Sequence, residues 1–115
     1  MNVSEIAKNA NTSALVLAHL STDLKNQALR LMADALEANC DSILAANKKD
    51  LEFAKNEGIP KALVDRLVLN EEKVRGMSKG IRSVAELQDP VGVVKSVMEM
   101  DQDLVVEQVT CPIGV

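Results

Sequence analysis

The sequence predicts a mainly helical fold that ends in a C-terminal β-hairpin. Two observations favour this fold class: apolar side chains recur at helical spacing through residues 1–88, and two runs rich in β-branched residues flank a short polar link within residues 89–115. The chain has 115 residues, of which 47% are hydrophobic. A chain of this length can bury about two-thirds of its unfolded surface, so we expect one domain's worth of structure.

The first two helices are predicted from serine caps and apolar spacing. Ser4 can cap a helix that runs to about Ala18, because its hydroxyl can accept a hydrogen bond from a free N–H group of the first turn. Ser21 can cap the second helix in the same way. This second helix carries a single apolar stripe, formed by Leu24, Ala28, Leu31, Met32, Ala35 and Leu36.

Two shorter helical pieces are expected next. Asp41 is suited to cap residues 42–46, and Asn47 is suited to cap residues 48–56. Gly58 then supplies the left-handed residue that commonly ends a helix.

Two further helices complete the helical part. Pro60 favours a short helix through Leu67, because the N–H group that proline lacks is not needed in a first turn. Asn70 is expected to cap the last helix, with Glu71 and Glu72 favourably placed at its positive end. The buried face of this helix is predicted to consist of Val74, Met77, Ile81, Val84 and Ala85.

The hairpin is predicted from the change in pattern after the turn at residues 89–92. Residues 93–100 and 104–111 are both rich in β-branched side chains, and the polar residues 101–103 join them. A lone hairpin is only marginally stable in water, so we expect this one to need a further sheet or a partner. It is predicted to protrude as an arm.

Composition and charge argue against nucleic acid as a partner. The formal net charge is −4, and the lysines and arginines are spread among acidic residues instead of forming a basic stripe. Phe53 is the single aromatic residue, so the chain lacks the stacking platforms on which single-stranded nucleic acids usually bind.

The sequence also argues against membrane and metal partners. No stretch approaches the roughly 20 apolar residues of a membrane span, and the first residues lack the basic and apolar regions of a signal peptide. The two cysteines, Cys40 and Cys111, have no metal-binding spacing. We therefore expect a reduced, cytoplasmic protein.

Cys111, Cys40 and His19 are the candidates for nucleophilic catalysis. A reactive cysteine needs a helix N-terminus, a cation or a histidine nearby, and Cys111 lies near the end of a predicted strand with no basic residue close in sequence. We interpret both cysteines as small buried apolar side chains. His19 falls near the C-terminal end of the first helix, where an imidazolium would meet the helix dipole favourably, and is interpreted as a surface or capping residue.

Two other patterns have structural interpretations. Gly76 and Gly80 form a G-x-x-x-G pattern, which would allow a neighbouring helix to approach closely. Asp101 and Asp103 are interpreted as a solvated hairpin tip, because no third ligand stands at loop spacing. The residues alone therefore assemble no active site.

A series of short motifs nevertheless runs in a distinctive order along the chain. The motifs are Leu20-Ser21-Thr22 before the helix over residues 24–39, Ile43-Leu44-Ala45-Ala46-Asn47 with Asp50-Leu51, Leu63-Val64-Asp65-Arg66-Leu67, Asp89-Pro90-Val91-Gly92 and Pro112-Ile113-Gly114-Val115. In order and spacing, from about Ser4 onward, the series resembles the N-terminal part of the γ-glutamyl phosphate reductase (glutamate-5-semialdehyde dehydrogenase) family of the aldehyde dehydrogenase superfamily.

The resemblance implies a cytoplasmic enzyme of proline biosynthesis. Such an enzyme reduces γ-glutamyl phosphate, its small-molecule substrate, with NADPH to glutamate 5-semialdehyde and phosphate, and it uses a cysteine thiolate to attack the acyl phosphate. In the family, the catalytic cysteine and the first dinucleotide-binding strand follow the motif at residues 112–115. We therefore expect no catalytic, cofactor-binding or metal-binding residue in this chain, no bound cofactor and no activity of the chain alone. Cys111 inherits no catalytic role.

The resemblance also indicates which region of the family's fold each of the two parts of the chain corresponds to. Residues 1–88 correspond to the helical N-terminal part of the nucleotide-binding domain in an α/β aldehyde-dehydrogenase-like fold. Residues 89–115 correspond to the hairpin arm of the oligomerisation region, ending before the first Rossmann strand, and we expect a homo-oligomer through the hairpin at 93–111. The alternative is an autonomous helical interaction or oligomerisation module that acts through the edge of its hairpin.

Overall fold

The computed structural model describes residues 2–114, and these residues form five α-helices followed by a two-stranded antiparallel sheet. The predicted fold class is confirmed. In chain order the elements are α1 (Val3–Leu17), α2 (Thr22–Ala38), α3 (Cys40–Asn56), α4 (Lys61–Leu67), α5 (Glu71–Ala85), β1 (Val94–Asp101) and β2 (Leu104–Val109).

The described residues group into two compact units. One unit takes the residues up to Leu24 together with those from Gln88 onward, and therefore contains α1 and the hairpin. The other unit is Lys25–Leu87 and contains most of α2 with α3, α4 and α5.

Helix α1 begins at a different cap from the one predicted. Asn2, not Ser4, is the capping residue: its side-chain oxygen accepts a hydrogen bond from the Glu5 N–H at 2.9 Å, and the Glu5 carboxylate accepts one from the Asn2 N–H at 3.0 Å. This reciprocal arrangement satisfies two N–H groups, whereas a single serine cap would satisfy one. The prediction of Ser4 was therefore wrong by two residues.

Helix α3 is continuous where two pieces were predicted. Asn47 lies in its middle and caps nothing; instead, its side-chain amide donates to the Leu67 carbonyl at 2.8 Å and accepts from the Leu69 N–H at 3.0 Å. Asp41 lies inside the first turn of α3 and is not its capping residue. The asparagine therefore holds the segment after α4 against the middle of α3.

The remaining helix limits follow the sequence closely. The Ser21 hydroxyl accepts from the Leu24 N–H at 3.3 Å, and the Asn70 side chain accepts from the Lys73 N–H at 2.8 Å, so both predicted caps are confirmed. Gly58 has a φ of 67°, in the left-handed region that favours glycine. Pro60 stands immediately before α4.

The core of the unit Lys25–Leu87 is small and lies between the helices. Its buried residues are Ala33, Ala54, Val64, Val74, Ser78 and Ala85. Val74 and Ala85 confirm part of the predicted face of α5, but Met77 and Val84 are 44% and 52% exposed. The fully buried Ser78 occupies the centre of that face instead.

Helix α2 buries a different side from the one its sequence indicates. Of the predicted stripe, Leu31 is 60% and Met32 is 58% exposed, while Ala33, which is not part of the stripe, is fully buried. An apolar stripe on a helix ordinarily faces a core. Among the described residues, the stripe of α2 is exposed at Leu31 and Met32 and half-buried at Leu36.

The hairpin is held at its base by Thr110 and Asp89. The Thr110 hydroxyl accepts from the Val93 N–H at 2.9 Å and donates to the Pro90 carbonyl at 2.5 Å. The Asp89 carboxylate accepts from the Val91 N–H at 3.0 Å and from the Thr22 hydroxyl at 2.8 Å. These contacts fix the turn that leads into β1.

The two strands bury none of their residues. Met98 pairs with Val106 on one face, and Glu99 pairs with Val105 on the other. Every residue of β1 and of β2 is exposed. The apolar side chains of the hairpin, Met98 and Val106 among them, are thus left uncovered by the described part of the chain.

Candidate functional site

The structure gives the two candidate cysteines different surroundings, with Cys40 as the first residue of α3 and Cys111 beyond the end of β2. Cys111 is exposed and Cys40 is half-buried, and both are free thiols. Our interpretation of Cys111 as a buried side chain is therefore wrong, because β2 ends at Val109 and leaves Cys111 in the extended segment beyond the sheet. An exposed thiol without a neighbouring base or helix N-terminus has no means of activation.

His19 lies just beyond the end of α1, as the sequence indicates. Its Nδ1 atom lies 2.9 Å from the Leu15 carbonyl oxygen, and the side chain is exposed. A ring N–H at this position donates to one of the last carbonyl groups of the helix, which is a capping interaction. The ring is thus engaged at the helix terminus.

The glycine and aspartate patterns also lack the contacts of a binding site. Nothing lies within 4 Å of the position that a Cβ atom would take at Gly76 or Gly80, so the expected close helix approach does not occur among the residues the structure describes. Asp103 has a φ of 63° at the tip of the hairpin. Within residues 2–114, no group of three or more histidine, cysteine or acidic side chains is arranged to hold a metal ion.

The strongest polar cluster joins α2 to α5 and was not identified from the sequence. The Arg82 guanidinium donates to the Glu37 carboxylate at 2.5 Å, to the Asp34 carboxylate at 2.7 Å and to the Ser78 hydroxyl at 2.7 Å. The Ser78 hydroxyl in turn donates to Glu37 and lies 3.3 Å from the Ala33 carbonyl oxygen. Apart from the Arg82–Ser78 bond within α5, the contacts span 41 to 48 positions in sequence, so no local spacing reveals them.

The electrostatics of this cluster are those of a structural ion pair. Hydrogen bonds from Arg82 and then Ser78 lower the pKa of the Glu37 carboxyl from its ordinary 4.5 to about 2. The same carboxylates raise the pKa of Arg82. A carboxylate held ionised in this way is a poor proton acceptor near neutral pH, and the Ser78 hydroxyl that contacts it is fully buried. The cluster therefore fastens α2 to α5.

An open depression of about 460 Å³ lies beside the cluster. Its lining residues are Glu37, Ala38, Cys40, Asp41, Glu71 and Arg75. Arg75 contacts Glu71 at 3.4 Å on the same helix, with both side chains largely exposed. The depression contains solvated charges but no convergent set of groups that could hold a ligand or perform a reaction.

Fold and chemistry together define a helical segment with a hairpin arm and no assembled catalytic group in the part of the chain that the structure describes. Its unexplained features are exposed apolar side chains: Leu31 and Met32 of α2, and Met98 and Val106 of the hairpin. None of the described helices is long and apolar enough to span a membrane.

Comparison with known proteins identifies which larger enzyme this segment resembles. The chain is 47% identical over 114 residues to the γ-glutamyl phosphate reductase of Acaryochloris marina, covering 99% of this chain and 26% of the relative. It is 49% identical over 109 residues to that of Methanosarcina mazei, covering 91% of this chain and 24% of the relative. No protein-family model matches the chain.

Solved structures give the same result. The γ-glutamyl phosphate reductase of Thermotoga maritima matches with a TM-score of 0.90 and 35% identity, covering 95% of this chain and 26% of the other. That of Saccharomyces cerevisiae matches with a TM-score of 0.87 and 42% identity, covering 97% of this chain and 29% of the other. The chain thus spans about a quarter of the length of its relatives and matches their N-terminal part. The resemblance inferred from the motif series is confirmed.

Proposed function

We propose that this chain is the N-terminal structural segment of an NADPH-dependent γ-glutamyl phosphate reductase and supplies no catalytic residue to it. The observation that carries the proposal is the similarity over the whole chain to one quarter of the reductases. The exposed, unpartnered Cys111 and the capping position of His19 support the second half of the proposal.

The residues of this chain do not fit an NADPH site. A dinucleotide is usually held at a glycine-rich turn that connects a strand to the N-terminus of a helix. In residues 2–114 both strands belong to the terminal hairpin, and every helix precedes them. Cofactor binding and the reduction itself are therefore assigned to the remaining three-quarters of the reductase.

We also propose that the hairpin at 93–111 is an arm that joins copies of the protein into a homo-oligomer. Both strands are exposed throughout, both outer edges are free to pair, and an isolated two-stranded sheet gains little stability of its own. A third strand from a partner, or a second hairpin packed against Met98 and Val106, would bury this surface.

The arm is tested by the mass of the chain in solution. Light scattering should give a multiple of the monomer mass, and Met98→Lys or Val106→Lys should shift the population towards monomer. Ala45→Lys, on the exposed side of α3, is the matched control and should leave the mass unchanged. A wild-type chain that is monomeric at high concentration would overturn the role of the arm.

The reaction is proposed to take place in the cytoplasm. Two free cysteines suit a reducing compartment. A fusion to a fluorescent protein should give diffuse cytoplasmic fluorescence; membrane or extracellular signal would contradict this assignment.

The reductase assignment is tested by reconstitution. The 115-residue chain is assayed alone and after co-expression with the part of the Acaryochloris marina reductase that follows the matched region, using the NADP-dependent oxidation of glutamate 5-semialdehyde in phosphate. We expect turnover from the co-expressed pair and none from either piece. Turnover by the chain alone, or an inactive but well-formed complex, would overturn the proposal.

A further inference from the structure

The two faces of the hairpin differ in charge. Successive residues of a strand point to opposite faces of a sheet, and the pairing of β1 with β2 is regular from Ser96 to Glu99. One face therefore carries Ser96, Met98, Val106 and Gln108, which we name the neutral face. The other carries Val97, Glu99, Val105 and Glu107, which we name the acidic face.

A hydrogen bond between side chains supports this division. The Ser96 hydroxyl donates to the Gln108 side-chain oxygen at 3.2 Å across the two strands, which requires both side chains to lie on the same face. Met98 and Val106 form the next pair along that face, and they are 58% and 50% exposed. The neutral face thus places an exposed apolar pair beside a polar pair that bonds to itself.

The acidic face is suited to remain in water. Glu99 and Glu107 lie diagonally across the two strands and are therefore near neighbours. Lys95 is the only lysine or arginine among residues 93–111, and it stands at the register irregularity that precedes Ser96, outside both faces. Burying the two carboxylates without a cation to pair with them would be costly.

We propose that a second copy of this chain binds the hairpin through the neutral face, with the neutral face of that copy packed against it. This inference rests on the proposed role of the hairpin as an arm and names the face that takes the partner. Most homo-oligomers have a two-fold interface, which brings the same patch of each copy together. Two neutral faces would bury Met98 and Val106 without repulsion, whereas two acidic faces would bring the carboxylates of both copies together.

Matched substitutions at neighbouring valines of β2 test the choice of face. Val106 and Val105 are 50% and 55% exposed and lie on the neutral and the acidic face. Val106→Lys should raise the dissociation constant of self-association at least about tenfold, because each copy would place a cation against the other. Val105→Lys should leave that constant within about twofold, because the new lysine stands opposite Glu99 on the solvated face. Sedimentation velocity over a range of concentrations measures both constants.

Cysteine cross-linking tests the same contact without adding a charge. In a Cys111→Ser background, Val106→Cys should give several times more cross-linked pairs with a short bismaleimide reagent than Val105→Cys gives. Cys40 is present in both variants, so its contribution is the same in each. This comparison decides the choice of face even if a lysine variant disturbs the hairpin.

The outcomes distinguish this inference from the proposed function. Equal weakening by the two lysine variants, or equal cross-linking from the two positions, would overturn the choice of the neutral face and leave the arm intact. Full self-association by both lysine variants would indicate pairing along a strand edge and would also overturn it. A monomeric wild-type chain would overturn the arm and this inference together, while the reductase assignment is decided separately by the reconstitution of activity.

Discussion

The unit Lys25–Leu87 and the hairpin use their apolar residues in opposite ways. The helices bury Val74, Ala33 and Ala54 and lock them with the cluster around Arg82, whereas the strands expose every side chain they carry. Both regions have apolar residues in regular patterns, so the pattern alone does not distinguish a buried core from an exposed surface. Within residues 2–114, the helices of the unit Lys25–Leu87 bury part of their apolar residues, and the strands bury none.

Shortening one valine side chain in each region should show the largest difference in the free energy of unfolding between the helical unit and the hairpin. Val74→Ala removes two methyl groups from a site that is 1% exposed and should lower the free energy of unfolding by about 2 kcal/mol. Val106→Ala, at a site 50% exposed, should change it by less than about 0.5 kcal/mol. Urea unfolding followed by circular dichroism measures both; equal losses would show that the hairpin belongs to the same core.

Removing a hydrogen-bonding side chain should also lower the free energy of unfolding more in the helical unit than in the hairpin, but by a smaller margin. Asn47→Ala removes two bonds that hold the segment after α4, and should cost about 1 to 2 kcal/mol. Ser96→Ala removes a solvent-exposed bond to Gln108 on the hairpin and should cost less than about 0.5 kcal/mol. Thermal unfolding of both variants measures these losses of stability. A larger loss of stability in Ser96→Ala than in Asn47→Ala would contradict the prediction.

The smallest expected effect is a dependence of helix stability on pH. The pKa of Glu37 is lowered from 4.5 to about 2 in the folded chain, so its contribution is complete above about pH 4.5 and is lost as the pH falls from there towards 2. Glu37→Gln should flatten this part of the curve, while the melting temperature near pH 7 falls only slightly because the pair is partly exposed to solvent. If the melting temperatures of the variant and the wild type depend on pH in the same way, Glu37 does not cause the loss of stability at low pH.

The sequence identifies elements whose causes are local. Gly58, Asn70 and Ser21 act on their own helix ends, and each acts as predicted. Asn47 misled the prediction because its partners lie 20 and 22 positions away, and a good capping residue in sequence became an interior residue of α3. A local pattern carries no information about such a distant partner.

The apolar stripe of α2 shows the limit of amphipathic patterns. Its spacing predicts a buried face, yet Leu31 and Met32 are more than half exposed in this chain. Ser78 shows the converse, since a polar residue is fully buried because the chain supplies Glu37 and Arg82 to satisfy it. The expectation that this chain holds no catalytic residue stays a prediction. The polar cluster could not be predicted, because Glu37 and Asp34 lie 41 to 48 positions from Ser78 and Arg82 in sequence.

The most direct test of the central claim is the turnover of three samples measured side by side: this chain, the remaining three-quarters of the Acaryochloris marina reductase, and the co-expressed pair. The claim that this chain is a structural part of a reductase predicts NADP-dependent oxidation of glutamate 5-semialdehyde by the pair and by neither piece. Turnover by the chain alone, or equal turnover by the complementary piece with and without it, would contradict the claim.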